Sequence, residues 1–176
     1  MKRSPSLLPL IISLCLVLSL FLLHCAKEGP PGQALAPDFR LTTLEGKEVA
    51  LSGLKGKVVL LDFWATWCAP CREAIPHLID LHRTFGQNGL EVIGMSVDKG
   101  ESETVRRFAK SMDIPYAIII TPDEVQREYG VVSLPTTILI DREGKIQQKY
   151  VGFTSEISKQ LAATIEELTA EKPPKK

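Results

Sequence analysis

Two cysteines three residues apart, Cys68 and Cys71, are the side chains of this sequence best suited to chemistry. A bridge between them closes a very small loop, and the stabilisation a disulfide confers grows with the loop it closes, so this one would be a poor staple. Its fitting use is the making and breaking of the disulfide itself. If a helix begins near Cys68, that sulfur faces unpaired backbone N–H groups and the positive end of the helix dipole, which favour thiolate over thiol. The thiolate is the attacking species in exchange, so Cys68 takes the role of nucleophile. Cys71, one turn deeper, takes that of resolving thiol. Pro70 between them is tolerated in a first turn, where a missing N–H costs little.

A metal site is the alternative use of such a pair. Structural zinc wants four ligands, and besides the two cysteines only His77 and His82 lie nearby. His77 points to a different helix face, and His82 falls about 16 Å along the axis from Cys71. No metal is expected, and no cofactor beyond the Cys68–Cys71 disulfide.

Asp62 is the second residue of chemical interest. It interrupts Val58-Val59-Leu60-Leu61-Asp62-Phe63-Trp64, a run apolar on both faces, as suits a central strand covered on both sides. An ionised carboxylate inside such a strand is costly, so burial should raise its pKa. An Asp at the strand's frayed end, bonded to a neighbouring turn, is the plainer alternative.

The elements that must position these residues follow from periodicity and turn signals. Phe39–Thr42 and Glu48–Leu51, joined across Glu45-Gly46-Lys47, form a short hairpin. After the strand at 58–64 come a helix from about Ala69 to Thr84, a strand from Leu90 to Val97 and a helix from Glu101 to Met112 with Val105, Phe108 and Met112 at helical spacing. Pro76 should kink the first of these helices. A strand at Tyr116–Ile120, a short helix at Glu124–Tyr129 and a hairpin of Thr136–Ile140 with Lys145–Val151, turned at 141–144, complete the sheet. A last helix, Ser155–Glu171, carries Ile157, Leu161, Ile165 and Leu168 on one stripe. This order implies an α/β domain whose mixed central sheet is flanked by helices.

The ends are of different character. Lys2 and Arg3 precede a run from Leu7 to Leu23 that is nearly all Leu, Ile, Val and Phe, which reads as an export signal over residues 1–26. Leu22-Leu23-His24-Cys25 looks like the lipobox of bacterial lipoproteins, with Cys25 as the candidate lipidation site, although His24 stands where that pattern has a small residue. A lipid anchor, an uncleaved signal anchor and a released protein are the three outcomes, and the first two leave the domain membrane-anchored outside the cytoplasm. Residues 27–35, rich in Pro and Gly, read as a linker, 36–170 as the domain and 171–176 as a solvated tail. Basic and acidic residues number 21 each, so no net field would hold the protein on nucleic acid.

The stretch Trp64-Ala65-Thr66-Trp67-Cys68-Ala69-Pro70-Cys71 following a buried strand, with Pro76 five residues on and Leu134-Pro135-Thr136 before a later strand, resembles the thioredoxin superfamily, and within it the membrane-anchored TlpA-like and ResA-like branch. The resemblance spans roughly Ala36 to Leu168. It implies a thioredoxin-like fold with the N-terminal hairpin and a central insertion at 101–129. It also implies a thiol-disulfide oxidoreductase, in this branch mostly a protein-disulfide reductase of the cytochrome c maturation type. Its partners would be a protein disulfide or thiol substrate and a membrane thiol electron donor.

Residue by residue, Asp62 matches the buried acid thought to relay a proton to and from the resolving cysteine. Pro135 resembles the superfamily's cis-proline, which would leave Leu134 backbone groups free to pair with a substrate strand and keep charges and metals from the sulfurs. Trp67 is expected at an exposed rim and Trp64 in the core, with Thr66 and Ala69 tuning the site at most. ResA-like proteins carry a functional Glu three residues after the second Cys. Ala74 stands there, and Glu73 is rotated about 100° away, so Arg72 and Glu73 are read as a solvated face.

Two rival functions remain. Ala36-Pro37-Asp38-Phe39 also opens many peroxiredoxins, but those place Thr three residues before a single Cys, whereas Thr66 is two before Cys68. A Sco-like copper chaperone shares the fold and tether but uses a wider Cys spacing and a distant His, and no His follows His82.

Overall fold

The computed structural model describes residues 34–171 apart from residue 101. Its centre is a five-stranded sheet of β3 (Val58–Trp64), β4 (Leu90–Ser96), β5 (Ala117–Ile120), β6 (Thr136–Ile140) and β7 (Ile146–Val151), in the order β5-β4-β3-β6-β7. β3 runs parallel to β4 and antiparallel to β6, which makes the sheet mixed. All seven residues of β3 are buried, and none of its neighbours in the sheet is an edge. A continuous apolar run is therefore stable there, because both faces are covered.

Side chains alternate across the strand, so Val58, Leu60, Asp62 and Trp64 share one face and Val59, Leu61 and Phe63 the other. The first face packs against α1 (Ala69–Phe85) through Cys71, Ile75 and Leu78, against α2 (Ser102–Ser111) through Val105 and Phe108, and against α4 (Ser155–Ala170) through Leu161, Ile165 and Leu168. The second meets α3 (Asp123–Glu128) through Val125, with Tyr129 just beyond it. It also meets the N-terminal segment through Phe39 and Leu51. Each large apolar side chain fully enclosed in this way contributes about 1.5–3 kcal/mol relative to exposure.

β1 (Arg40–Thr42) and β2 (Glu48–Ala50) form the expected hairpin as a separate two-stranded sheet. It reaches the edge strand, for the Leu44 N–H donates to the Ile118 carbonyl at 2.8 Å. Gly94 in β4 is required by packing: a Cβ there would lie 2.9 Å from Trp64 Nε1, with Ile118 and Tyr116 behind it. The Trp64 indole can lie across β4 only because that position has no side chain.

Element ends differ from the sequence expectations by a residue or so, as frayed termini do. Ala34 and Leu35, expected at the end of a linker, pair instead with the domain: Leu35 bridges Lys145, and the Ile146 N–H donates to the Ala34 carbonyl at 2.9 Å. Arg142, expected only as a hairpin-turn residue, is buried. Its guanidinium donates to the carbonyls of Gly56 (2.7 Å), Asn88 (3.2 Å) and Thr169 (3.0 Å), tying three segments together at the end of the sheet where β3 and β4 begin and β6 ends. The expected signal, the candidate lipidation site Cys25 and most of the tail lie outside the described residues. Among the described residues no helix is long and apolar enough to cross a membrane.

Candidate active site

Cys68 is the N-cap of α1, with extended backbone (φ −85°, ψ 106°), and its sulfur accepts the Cys71 N–H at 3.3 Å. Side-chain capping of a first-turn N–H is normally the task of Ser, Thr, Asp or Asn. Here a sulfur does it, in the position where the helix end is electron-poor. Cys68 and Cys71 are joined as a disulfide, with Cα atoms 5.3 Å apart. Cys68 retains 6% exposure and Cys71 none, so an incoming partner meets Cys68 first. Pro70 falls in the first turn as expected, and Pro76 lies inside the helix, where it removes one N–H from the ladder.

Asp62 lies in the interior of β3, paired with Gly94 on one side and Thr137 on the other, and is fully buried. The frayed-end alternative is thereby excluded. The Thr137 hydroxyl donates to Asp62 Oδ1 at 3.3 Å, while Oδ2 has no hydrogen-bond partner. Burial pushes the Asp62 carboxyl up to about 7, and the single hydroxyl donor offsets only part of that effect. Burial, together with the charge of the same carboxylate, raises Tyr116 above its ordinary range. Asp62 shares its face of the sheet with the cluster that contains Cys71, so the acid and Cys71 occupy one buried layer.

The Leu134–Pro135 peptide bond is cis. Pro135 immediately precedes β6, and its carbonyl accepts the Gly152 N–H at 2.8 Å. Leu134 is half-buried, touching both apolar clusters. Trp67 is 68% exposed beside Cys68, whereas Trp64 is enclosed, its ring 5.3 Å from that of Phe108 and tilted against it by 35°. Glu73 is exposed and Ala74 buried, so no carboxylate occupies the position three beyond Cys71.

Arg72 is exposed, as expected of a solvated face, but its guanidinium is also tied back onto the first turn. Its Nε and Nη2 donate to the Thr66 carbonyl at 2.9 and 2.6 Å, and the guanidinium lies 5.5 Å over the Phe108 ring. Asp98, which the sequence reading passed over, accepts both the N–H and the hydroxyl of Thr66 at 2.9 and 2.6 Å. His77 contacts Phe153 and Ser158, and His82 contacts Tyr116, each away from the sulfurs.

A thioredoxin-like fold with a Cys-x-x-Cys disulfide at a helix's N-terminal edge defines a thiol-disulfide oxidoreductase, and this chain is one. It belongs to the AhpC/TSA family, whose model matches residues 32–149. Among its relatives is the thiol-disulfide oxidoreductase ResA of Bacillus thuringiensis subsp. konkukian (strain 97-27), 36% identical over 135 residues that make up 76% of each chain. Two solved structures are similar throughout their length. One is a thiol:disulfide interchange protein of the thioredoxin family from Chlorobium tepidum TLS, 26% identical, with a TM-score of 0.71 over 81% of this chain and 100% of that one. The other is the pneumococcal exposed lipoprotein thioredoxin of Streptococcus pneumoniae strain TIGR4, 31% identical, with a TM-score of 0.63 over 75% of this chain and 100% of that one.

Proposed function

We propose that this chain is a membrane-tethered reductase of protein disulfides working outside the cytoplasm, of the cytochrome c maturation type, and that Asp62 handles the proton of its resolving thiol. In the reduced enzyme the Cys68 thiolate attacks one sulfur of a substrate disulfide. The substrate S–S bond breaks, a mixed disulfide forms, and the departing thiolate takes a proton from water. Cys71 then gives its proton, through water, to the Asp62 carboxylate and attacks Cys68, forming the enzyme disulfide and releasing the second substrate thiolate. Two electrons pass to the substrate, and a membrane dithiol donor returns two to Cys68–Cys71. No cofactor beyond the disulfide enters the cycle.

The observation that carries the reading is the buried acid on the resolving cysteine's side of the sheet, held near neutrality by burial. A group poised near the working pH is suited to both taking and returning a proton. Resemblance to the TlpA-like branch supports the reductive direction, with Trp67, Leu134 and Pro135 as the substrate-facing edge. The apolar run from Leu7 to Leu23 and Cys25 support a tether, as does similarity to a chain described as an exposed lipoprotein.

The reduction potential of the Cys68–Cys71 couple tests the direction: a reductase should lie nearer to about −270 mV than to about −120 mV. A value at the oxidising end, with the protein isolated from cells as a disulfide, would reverse the assignment. Cys71→Ser should trap substrates as mixed disulfides on Cys68. Intact mass of membrane-extracted protein tests the anchor, since lipidation requires a chain starting at Cys25 with added acyl mass.

A further inference from the structure

The three residues between β3 and Cys68 carry that sulfur to its place, and Thr66 in their middle is held at every polar atom it has. Its N–H donates to Asp98 Oδ2 at 2.9 Å, and its hydroxyl to Asp98 Oδ1 at 2.6 Å. Its carbonyl accepts both Nε and Nη2 of Arg72. On one side the chain is anchored by the Val97 N–H, which donates to the Trp64 carbonyl at 2.8 Å. On the other, the Cys68 N–H donates to the Ala65 carbonyl at 3.1 Å, and the Arg72 N–H to the Cys68 carbonyl at 3.2 Å.

Asp98 is itself fixed. The Ser96 hydroxyl donates to its Oδ2 at 2.9 Å, and Ser96 is fully buried at the end of β4. The carboxylate thus takes three donors, two of them from a residue 32 positions away in sequence. Charge-assisted hydrogen bonds of this kind are about twice as strong as neutral ones, and two from one residue fix an orientation as well as a distance.

We propose that Asp98 is a positioning residue for Cys68: by clamping Thr66 it fixes the segment that presents the nucleophile at the start of α1. Nothing in this depends on which way electrons flow, so it stands apart from the reductive assignment and rests only on exchange at Cys68. The charge of Asp98 and its geometry act in opposite directions. A nearby carboxylate disfavours a thiolate, so its removal alone would favour ionisation of Cys68. A slower enzyme after its removal therefore reports lost geometry.

The test uses the full-length reduced chain in detergent and its rate of exchange with a small chromogenic aromatic disulfide, expressed per folded molecule from circular dichroism. Asp98→Ala should slow exchange about 10-fold, the order expected when a reacting group is loosely held. Asp98→Asn should restore the rate to within about threefold of wild type, because its amide oxygen accepts the Thr66 N–H while its amide N–H can donate to the Thr66 hydroxyl oxygen. Thr66→Val, which deletes one arm of the clamp and keeps the N–H, should fall between them. A folded Asp98→Ala protein with a lowered Tm and a wild-type rate would overturn the proposal. Should Asp98→Ala not fold, a wild-type rate in Thr66→Val, or an Asp98→Asn protein as slow as about 10-fold below wild type, overturns it instead.

Discussion

Replacing Asp62 by Asn should make the protein more stable, and only above acid pH. The unfolded carboxyl titrates near 3.8, while burial holds the folded one at about 7. At about 1.4 kcal/mol for each pH unit, that separation amounts to about 4 kcal/mol. For an acid whose folded value is raised, the sign is fixed. Below about pH 4 both states hold the proton and nothing is lost. Between there and about pH 7 the unfolded chain releases its proton and the folded one does not, so stability falls as pH rises and then levels off.

Asn keeps an oxygen for the Thr137 hydroxyl and leaves the Oδ2 position as unpartnered as it was, so the two proteins should match when Asp62 is protonated. Denaturant unfolding of the oxidised proteins from pH 4 to pH 8 measures the difference, and taking it between variants cancels other titrations such as that of Asp38, which moves the opposite way. The expected gap is below about 1 kcal/mol at pH 4, about 2 kcal/mol near pH 5.5 and about 4 kcal/mol at pH 8. A gap that does not change across this range would refute the reasoning, because it would mean that Asp62 titrates alike folded and unfolded.

Three further outcomes follow from packing and exposure. In the reduced protein, iodoacetamide should label Cys68 at least about 10-fold faster than Cys71, read by peptide mass, because one sulfur is reachable at a helix start and the other is enclosed. Gly94→Ala should cost about 1–3 kcal/mol in denaturant unfolding, since the added Cβ would press on the Trp64 indole and Tyr116. Arg142→Met should cost about 2–4 kcal/mol, because it leaves the carbonyls of Gly56, Asn88 and Thr169 without their donor, and unchanged unfolding would show that water replaces the guanidinium.

The parts of this architecture that were readable from the sequence are those encoded locally. β3 announced itself by an apolar run broken only at Asp62, α4 by a single stripe, and the Cys68–Cys71 disulfide by two cysteines at a spacing too tight for a staple. Asp62 stood out because an acid inside that run has no local excuse. What escaped were residues defined by partners far along the chain. Asp98 follows β4 in a stretch that looks like ordinary loop, and its meaning lies with Thr66, brought beside it only when β3 and β4 pair in parallel. Arg72 is solvated as its outward position implies, and only its bonds to the Thr66 carbonyl went unseen, since a long flexible side chain can fold back over its own first turn. Arg142 was hidden by its place in a turn, where charge is usually wet. Its burial reflects three carbonyls from distant segments that no periodicity reveals.

Only one of the two reactive sulfurs has a window to the outside, and the window is narrow. On the exchange cycle proposed above, a molecule caught in turnover is moored by a single covalent line at Cys68, out of reach of Cys71. If Cys71 resolves the intermediate as proposed, release is timed from within the domain, by a residue with no surface open to the visitor.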